Sequence, residues 1–197
     1  AGFEVAVVGG AVRDILDKKD VSDWDLTTNA KPQEITKLFK NAFYNNRFGT
    51  VGVPAGDGNV VEITTWRKEA GYSDRRHPDK IVWGKTLEDD LARRDFTINA
   101  VALRYAPKTP NSKFQIPNFE LVDPYDGQGD LKRKLVRTVG KPDDRFGEDA
   151  LRILRAIRFA TTLGFEIEEK TLGAIQKNAK LIANISGERI RDELFKI

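Results

Sequence analysis

The sequence predicts an α+β fold, in which a head that mixes strands with helices is followed by an all-helical segment. Three observations predict it. A strand-like run, Phe3-Glu4-Val5-Ala6-Val7-Val8, is stopped by Gly9-Gly10 and followed by a short helical pattern from Ala11 to Lys18. Extended and helical patterns then keep alternating to about Gly140. From Glu148 to Ile197 the only periodicity is helical, with apolar residues at Leu151, Leu154 and Ile157, then Leu172 and Ile175, then Leu181, Ile182 and Ile185, then Ile190 and Leu194. The division falls at 1–140 and 141–197.

Within the head, Val21 to Thr28 reads as extended. Lys31-Pro32 opens a helix to about Lys40, with Ile35, Leu38 and Phe39 at helical spacing and Pro32 in the first turn, where a missing N–H costs nothing. Residues 47–53 and 59–66 read as strands joined by the hairpin loop Pro54-Ala55-Gly56-Asp57-Gly58-Asn59. Residues 67–84 are polar and irregular and read as a mobile loop. Thr86 to Arg94 is a helix with Thr86 and Asp89 as a capping pair. Residues 95–105 read as helix then strand, three prolines in 107–119 mark an insertion, and Asp126-Gly127-Gln128-Gly129-Asp130 marks a turn. Gly164 stops the helix that begins near Glu148. The helical segment, of about 50 residues, is short of a core of its own. It therefore packs on the head or continues into further chain.

Composition excludes several classes. The 197 residues are 40% hydrophobic and 32% charged, the make-up of a globular chain and not a disordered one. No apolar run approaches the ~20 residues of a membrane span, so no membrane partner is expected. Cysteine is absent, which excludes disulfides and thiolate zinc sites, and His77 is the single histidine. Any metal is then held by oxygen ligands, which favours Mg²⁺ or Mn²⁺. The 33 Lys and Arg oppose 30 Asp and Glu for a net charge of +3, too little for bulk charge to mark a nucleic-acid binder. The chain begins with Ala1, holds no Met and shows no signal-peptide pattern, which reads as a piece of a cytoplasmic protein.

The sharpest chemical signal is Asp23-Trp24-Asp25-Leu26. In a strand, residues two apart face the same way, so Asp23 and Asp25 project together while Trp24 and Leu26 face the core. Two such carboxylates repel unless a cation lies between them. Glu62, a charge inside the apolar strand Val60-Val61-Glu62-Ile63-Thr64, is the candidate third carboxylate, since burying it alone would be costly. Taken alone an Asp-x-Asp is weak, because the pair can sit in a turn with Glu62 facing water. The upstream Gly9-Gly10 turn strengthens the metal reading: its backbone amides can approach a phosphate closely, and Arg13 can add a charged contact.

The second signal is Glu148 to Phe159. At 100° per residue, Asp149, Arg152, Arg155 and Arg158 form one slowly turning polar stripe beside an apolar stripe of Leu151, Leu154 and Ile157. The stripe is read either as a solvated face with i,i+3 ion pairs or as a base reader. A carboxylate only accepts hydrogen bonds and a guanidinium only donates them. Asp149 and Arg152 together match cytosine and adenine, which set an amino donor beside a ring-nitrogen acceptor. Uracil and guanine present the reverse pattern and leave polar groups unpaired. Arg155 and Arg158 remain for phosphates or packing.

These stretches, with Arg93-Arg94-Asp95-Phe96-Thr97-Ile98-Asn99-Ala100, Asp123-Pro124 through Gly127, Asp130 and Leu131, and Glu188-Arg189 through Glu193, resemble in order the five motifs of the class II nucleotidyltransferases. These are the CCA-adding tRNA nucleotidyltransferases and their bacterial poly(A) polymerase relatives. The resemblance implies a nucleotidyltransferase head (1–140) with a mixed or antiparallel sheet flanked by helices, then a helical neck (141–197). It implies that Asp23 and Asp25 hold two Mg²⁺ ions. It places Gly10 and Arg13 on the triphosphate, and Arg94, Asp95 and Asn99 on phosphate and ribose. Asp149 and Arg152 would read the base, with Arg155 and Arg158 beside them. Glu62 as a third catalytic carboxylate rests on the strand argument more than on the resemblance. Trp24 stands where an aliphatic residue is more usual. Members carry further helical domains that grip tRNA, so much of that surface would be missing here.

The implied reaction is template-independent addition of C and A to the tRNA 3′ end from CTP and ATP. The polar stretch 67–84 and Arg47-Phe48-Gly49-Thr50-Val51 favour full CCA addition. Addition of A alone, or poly(A) polymerase activity, is the alternative within the family. From another class, a non-catalytic nucleotide- or RNA-binding module would use the basic groups Arg75-Arg76, Arg93-Arg94 and Lys132-Arg133-Lys134 with the 152/155/158 stripe. That module leaves the three carboxylates unexplained.

Overall fold

A computed structural model describes residues 2–21, 23–44, 48–56, 58–73, 78–107 and 118–197. In chain order, strand β1 (Val5–Val8) leads through Gly9 into helix α1 (Gly10–Leu16), and β2 (Asp25–Thr28) into α2 (Pro32–Leu38). Strands β3 (Phe43–Tyr44), β4 (Thr50–Pro54), β5 (Val60–Thr65), β6 (Arg67–Ala70) and β7 (Lys80–Trp83) follow, then α3 (Leu87–Ala92) and a 3₁₀ turn over Thr97–Asn99. The head ends with β8 (Ala102–Tyr105), β9 (Phe119–Val122), α4 (Gly127–Arg133) and β10 (Leu135–Val136). Helices α5 (Pro142–Glu148) and α6 (Leu151–Leu163), the short β11 (Glu166–Ile167), α7 (Glu169–Asn178), a 3₁₀ segment over Ala179–Asn184 and α8 (Gly187–Leu194) complete the chain.

The described residues form a seven-stranded mixed sheet in the order β3-β4-β5-β2-β1-β8-β9. Its one parallel pair is β2–β5, in which Asp25 stands opposite Glu62. Strand β1 is buried on both faces, as a central strand covered on each side must be. Ala6 and Val8 pack with Trp66 and with Leu87 and Leu91 of α3. Val7, pointing the other way, packs with Ala11 and Val12 of α1. This alternation fixes the register of β1 and with it the position of the glycine turn at its end.

A third cluster reaches from the head into the helices. Phe96, Ile98 and Val136 pack against Phe146, Ile153, Ala156 and Phe159 of α5 and α6 and Ile175 of α7. Each of the larger side chains among these, when fully buried, contributes roughly 1.5–3 kcal/mol. The helical segment therefore packs on the head, one of the two arrangements expected of it. The backbone joins them too: β10 pairs in parallel with β11, and Phe96 bridges to Thr138.

Several expectations are corrected. Residues 67–84 are not a loop throughout, since β6 and β7 form an antiparallel hairpin. The turn at 126–130 is the start of α4, entered through a left-handed Asp126. Gly127 lets α4 sit against the 3₁₀ turn, because a Cβ there would collide with the Thr97 carbonyl oxygen. Glu148 to Phe159 is not one helix: α5 ends at Glu148, Asp149 is extended, and α6 begins at Leu151. The buried face of α6 is Ile153, Ala156 and Phe159, whereas Ile157 of the expected apolar stripe is exposed. Trp24 is exposed as well, because β2 starts at Asp25 and Trp24 precedes the pleat. The helical segment is interrupted by β11. Thr86 does cap α3, accepting from the Asp89 backbone N–H at 3.3 Å, and Gly164 does end α6 with φ of 67°. Arg47, residues 74–77 with Arg75-Arg76 and His77, Asp57 of the hairpin loop, and most of the proline-rich insertion (108–117) lie outside the described residues.

Candidate active site

Two adjoining cavities, of about 310 and 400 Å³, open where the C-terminal end of β1 meets α6. They share Asp25, Arg94, Asp95 and Arg155 as a common wall. Gly10, Arg13, Asp23, Asn99 and Arg158 line the first. Asp149 and Arg152 line the second. Every candidate site residue except Glu62 thus reaches one continuous cleft.

The carboxylate end is built by the turn after β1. Gly9 has φ of 70°, and a Cβ on it would stand 3.1 Å from Asp25 Oδ2 and 3.2 Å from Arg94 Nη1, so a glycine is what lets the turn lie against both charges. Asp23 sits in a bend just before β2, so the strand alternation that predicted its direction does not apply, yet it lines the same cavity as Asp25. Burial raises the Asp25 pKa above the ordinary value. Arg94 opposes that rise, and the charges of Asp23 and Glu62 add to it. Glu62 itself is exposed and does not line the cavities, so the burial cost that singled it out is absent. Its place opposite Asp25 in the parallel pair is what brings its charge to bear. Among the described residues no three His, Cys, Asp or Glu side chains close around one point.

The next groups form a relay of hydrogen bonds. Arg13 Nη1 donates to Asn99 Oδ1 at 3.1 Å, and Asn99 Nδ2 donates to Asp95 Oδ1 at 3.4 Å. Arg155 Nε donates to Asp95 Oδ2 at 2.7 Å. Burial alone would raise Asp95, but Arg155, Arg152 and the Phe96 N–H together outweigh it and hold the carboxyl below its usual range. The break at Asp149 re-aims that side chain. Its Oδ1 accepts from the Leu151 N–H at 3.0 Å, capping α6, and Arg189 of α8 donates to both oxygens at 3.3 and 2.8 Å. Arg152 is held by Glu148 and by the carbonyl oxygens of Arg145 and Arg93.

Over residues 5–137 the sequence matches the family of the poly A polymerase head domain. The chain belongs to that family. Residues 164–197 of this poly A polymerase relative also match a region described as a probable RNA and SrmB-binding site of polymerase A. The CCA-adding enzyme of Lactobacillus delbrueckii subsp. bulgaricus is 46% identical over 198 residues, covering 100% of this chain and 47% of that protein. A crystal structure of the Bacillus stearothermophilus CCA-adding enzyme in complex with CTP superposes with a TM-score of 0.84 at 36% identity, over 99% of this chain and 44% of that one. A tRNA nucleotidyltransferase complexed with a primer tRNA and an incoming ATP analog gives 0.77 at 31% identity, over 98% of this chain and 52% of that one. The chain spans about half the length of the relatives it matches. Among its described residues no helix is long and apolar enough to cross a membrane.

Two contacts that hold this site together escaped the sequence reading. Asp90, fully buried, binds Arg93 at 2.7 Å and Arg94 at 3.3 Å, and so holds the arginine pair that the cleft uses. Its i,i+3 and i,i+4 spacing was the available signal. Arg189 was singled out within Glu188-Arg189 through Glu193, but its bond to Asp149, 40 residues away, carried no local signal.

Proposed function

We propose that this cleft carries out template-independent nucleotidyl transfer, adding C and A to the 3′ end of tRNA from CTP and ATP. The observation that carries the reading is one cleft in which a repelling Asp23/Asp25 pair adjoins four arginines and opens onto Asp149 and Arg152. Relatives that match the whole chain are CCA-adding enzymes, one seen with CTP, and another matching structure holds a primer tRNA and an ATP analog.

In this reading Arg13, Arg94, Arg155 and Arg158 orient the triphosphate, and Gly9-Gly10 lets it approach the backbone. Asp95 and Asn99, already hydrogen-bonded to each other, meet the ribose. Asp149 supplies acceptors and Arg152 donors to the base edge, the pattern that suits cytosine and adenine and opposes uracil and guanine. The raised Asp25 and its carboxylate neighbours fit a divalent cation with oxygen ligands, so Asp23 and Asp25 would hold two Mg²⁺ ions, for which Mn²⁺ can substitute. The chemistry such ions supply when bound is activation of the attacking hydroxyl and neutralisation of charge on the leaving pyrophosphate.

The test is incubation with Mg²⁺, labelled nucleotides and a tRNA transcript that stops before its CCA. Two C and then one A are expected from wild type, and no incorporation from Asp23→Ala with an unchanged circular-dichroism spectrum. Addition of A alone would move the activity to the A-adding or poly(A) branch. Equal activity in Asp23→Ala would remove the metal assignment.

A further inference from the structure

Phe159 on α6 lies beneath the cleft with three guanidinium groups around its ring. The Arg158 guanidinium carbon is 4.2 Å from the ring centroid, that of Arg155 5.3 Å and that of Arg13 5.7 Å. All three arginines line the cavity of Asp23 and Asp25, as does Phe159. The ring is 5% exposed and is fixed from the core side by Phe96, edge to face at 5.7 Å and 82°. Like charges sharing one small ring repel each other. Each is ion-paired to a carboxylate, Asp14 for Arg13, Asp95 for Arg155 and Glu193 for Arg158, and Glu193 and Asp149 also act on Arg155 at longer range. The element they have in common is the electron-rich ring, which attracts cations within about 6 Å of its centroid.

We propose that Phe159 is a positioning residue for polyphosphate: its ring gathers one arginine from α1 and two from α6 into a single cationic wall that receives the phosphate chain of the incoming nucleotide. The proposal rests on reading this cleft as a triphosphate site. Helices distant in sequence converge here, and the ring replaces the second row of carboxylates that would otherwise be needed to hold the arginines together. Those extra carboxylates would compete with the phosphate. An uncharged π face holds the cations without offering an anion in the ligand's place. A leucine at this position would fill much of the same core volume but would offer no such face.

The experiment measures binding of inorganic tripolyphosphate by calorimetry, with CTP binding and thermal melting alongside, for wild type, Phe159→Leu and Phe159→Tyr. Phe159→Leu is expected to weaken tripolyphosphate and CTP on the order of tenfold, the effect of losing cation–π support from more than one guanidinium. Phe159→Tyr is expected to restore both. Preference for CTP over UTP should stay as in wild type in both variants, since a merely loosened fold would blur it. Phe159→Met makes the same comparison if Phe159→Leu does not fold. Wild-type affinity in Phe159→Leu, or failure of the tyrosine to rescue, overturns the role of the ring. Absence of tripolyphosphate binding by wild type overturns the triphosphate reading itself, and this proposal with it.

Discussion

Asp149 is the residue whose surroundings say most about selectivity. Both oxygens are held by Arg189, and one also caps α6. A carboxylate oriented in this way presents acceptors and no donor, the property on which discrimination between bases depends in the proposed reading. Arg189→Gln is therefore expected to raise incorporation of UTP and GTP relative to CTP and ATP by roughly tenfold, as one charge-assisted contact in the reader is lost. A four-nucleotide competition checks this, and unchanged selectivity would detach Arg189 from base reading. Asp149 and Arg152 were singled out by residue type, and they line one cavity although Asp149 stands outside the helix that their spacing assumed. The bond from Arg189 to Asp149 was not foreseen, because only the fold brings α8 against the break between α5 and α6. Trp24 shows the converse: alternation placed it inward, but the strand begins one residue later.

The β6–β7 hairpin and α3 share a buried ionic cluster that explains why the hairpin was read as a loop. Along β6 the inward positions are Arg67 and Glu69, which bind each other at 2.6 Å, so the strand alternates without any apolar residue facing in. Tyr72 donates to Glu69 at 2.5 Å, with its phenol pKa raised by burial and by that carboxylate. Asp90 completes the cluster between Arg93 and Arg94. Burial works to raise Asp90, and the two arginines outweigh it, so its folded pKa lies below the ordinary 3.8. The stability tied to this shift is fully present above 3.8, where the unfolded carboxyl is also ionised, and is lost as the pH falls through the depressed folded value. Asp90→Asn is expected to cost about 3 kcal/mol at neutral pH, the range for unpairing a buried ion, and to flatten the acid limb of stability. Urea unfolding across pH measures both, and an unaltered acid limb would remove Asp90 from the account.

At the scale of the molecule, the third core cluster joins the head to the helices beneath the cleft. Asp95 stands next to Phe96 in that cluster, its carbonyl oxygen accepts from the Val139 N–H at 3.0 Å, and Thr138 N–H reaches Thr171 Oγ1 of α7 at 3.4 Å. That the chain becomes mainly helical toward its C-terminus was legible in the sequence. The shared core was not, since periodicity marks an apolar face without saying what covers it. A chain ending at residue 140 would expose Phe96, Ile98 and Val136 and is expected to aggregate or remain unfolded. A cooperative melt of that fragment would show that the head carries a sufficient core by itself. The same buried layer floors the cleft and joins its two walls, so parting the walls would expose that layer to water. Heating should therefore abolish nucleotide binding and tertiary structure at one temperature, and the working lifetime of the site becomes the unfolding lifetime of the whole chain.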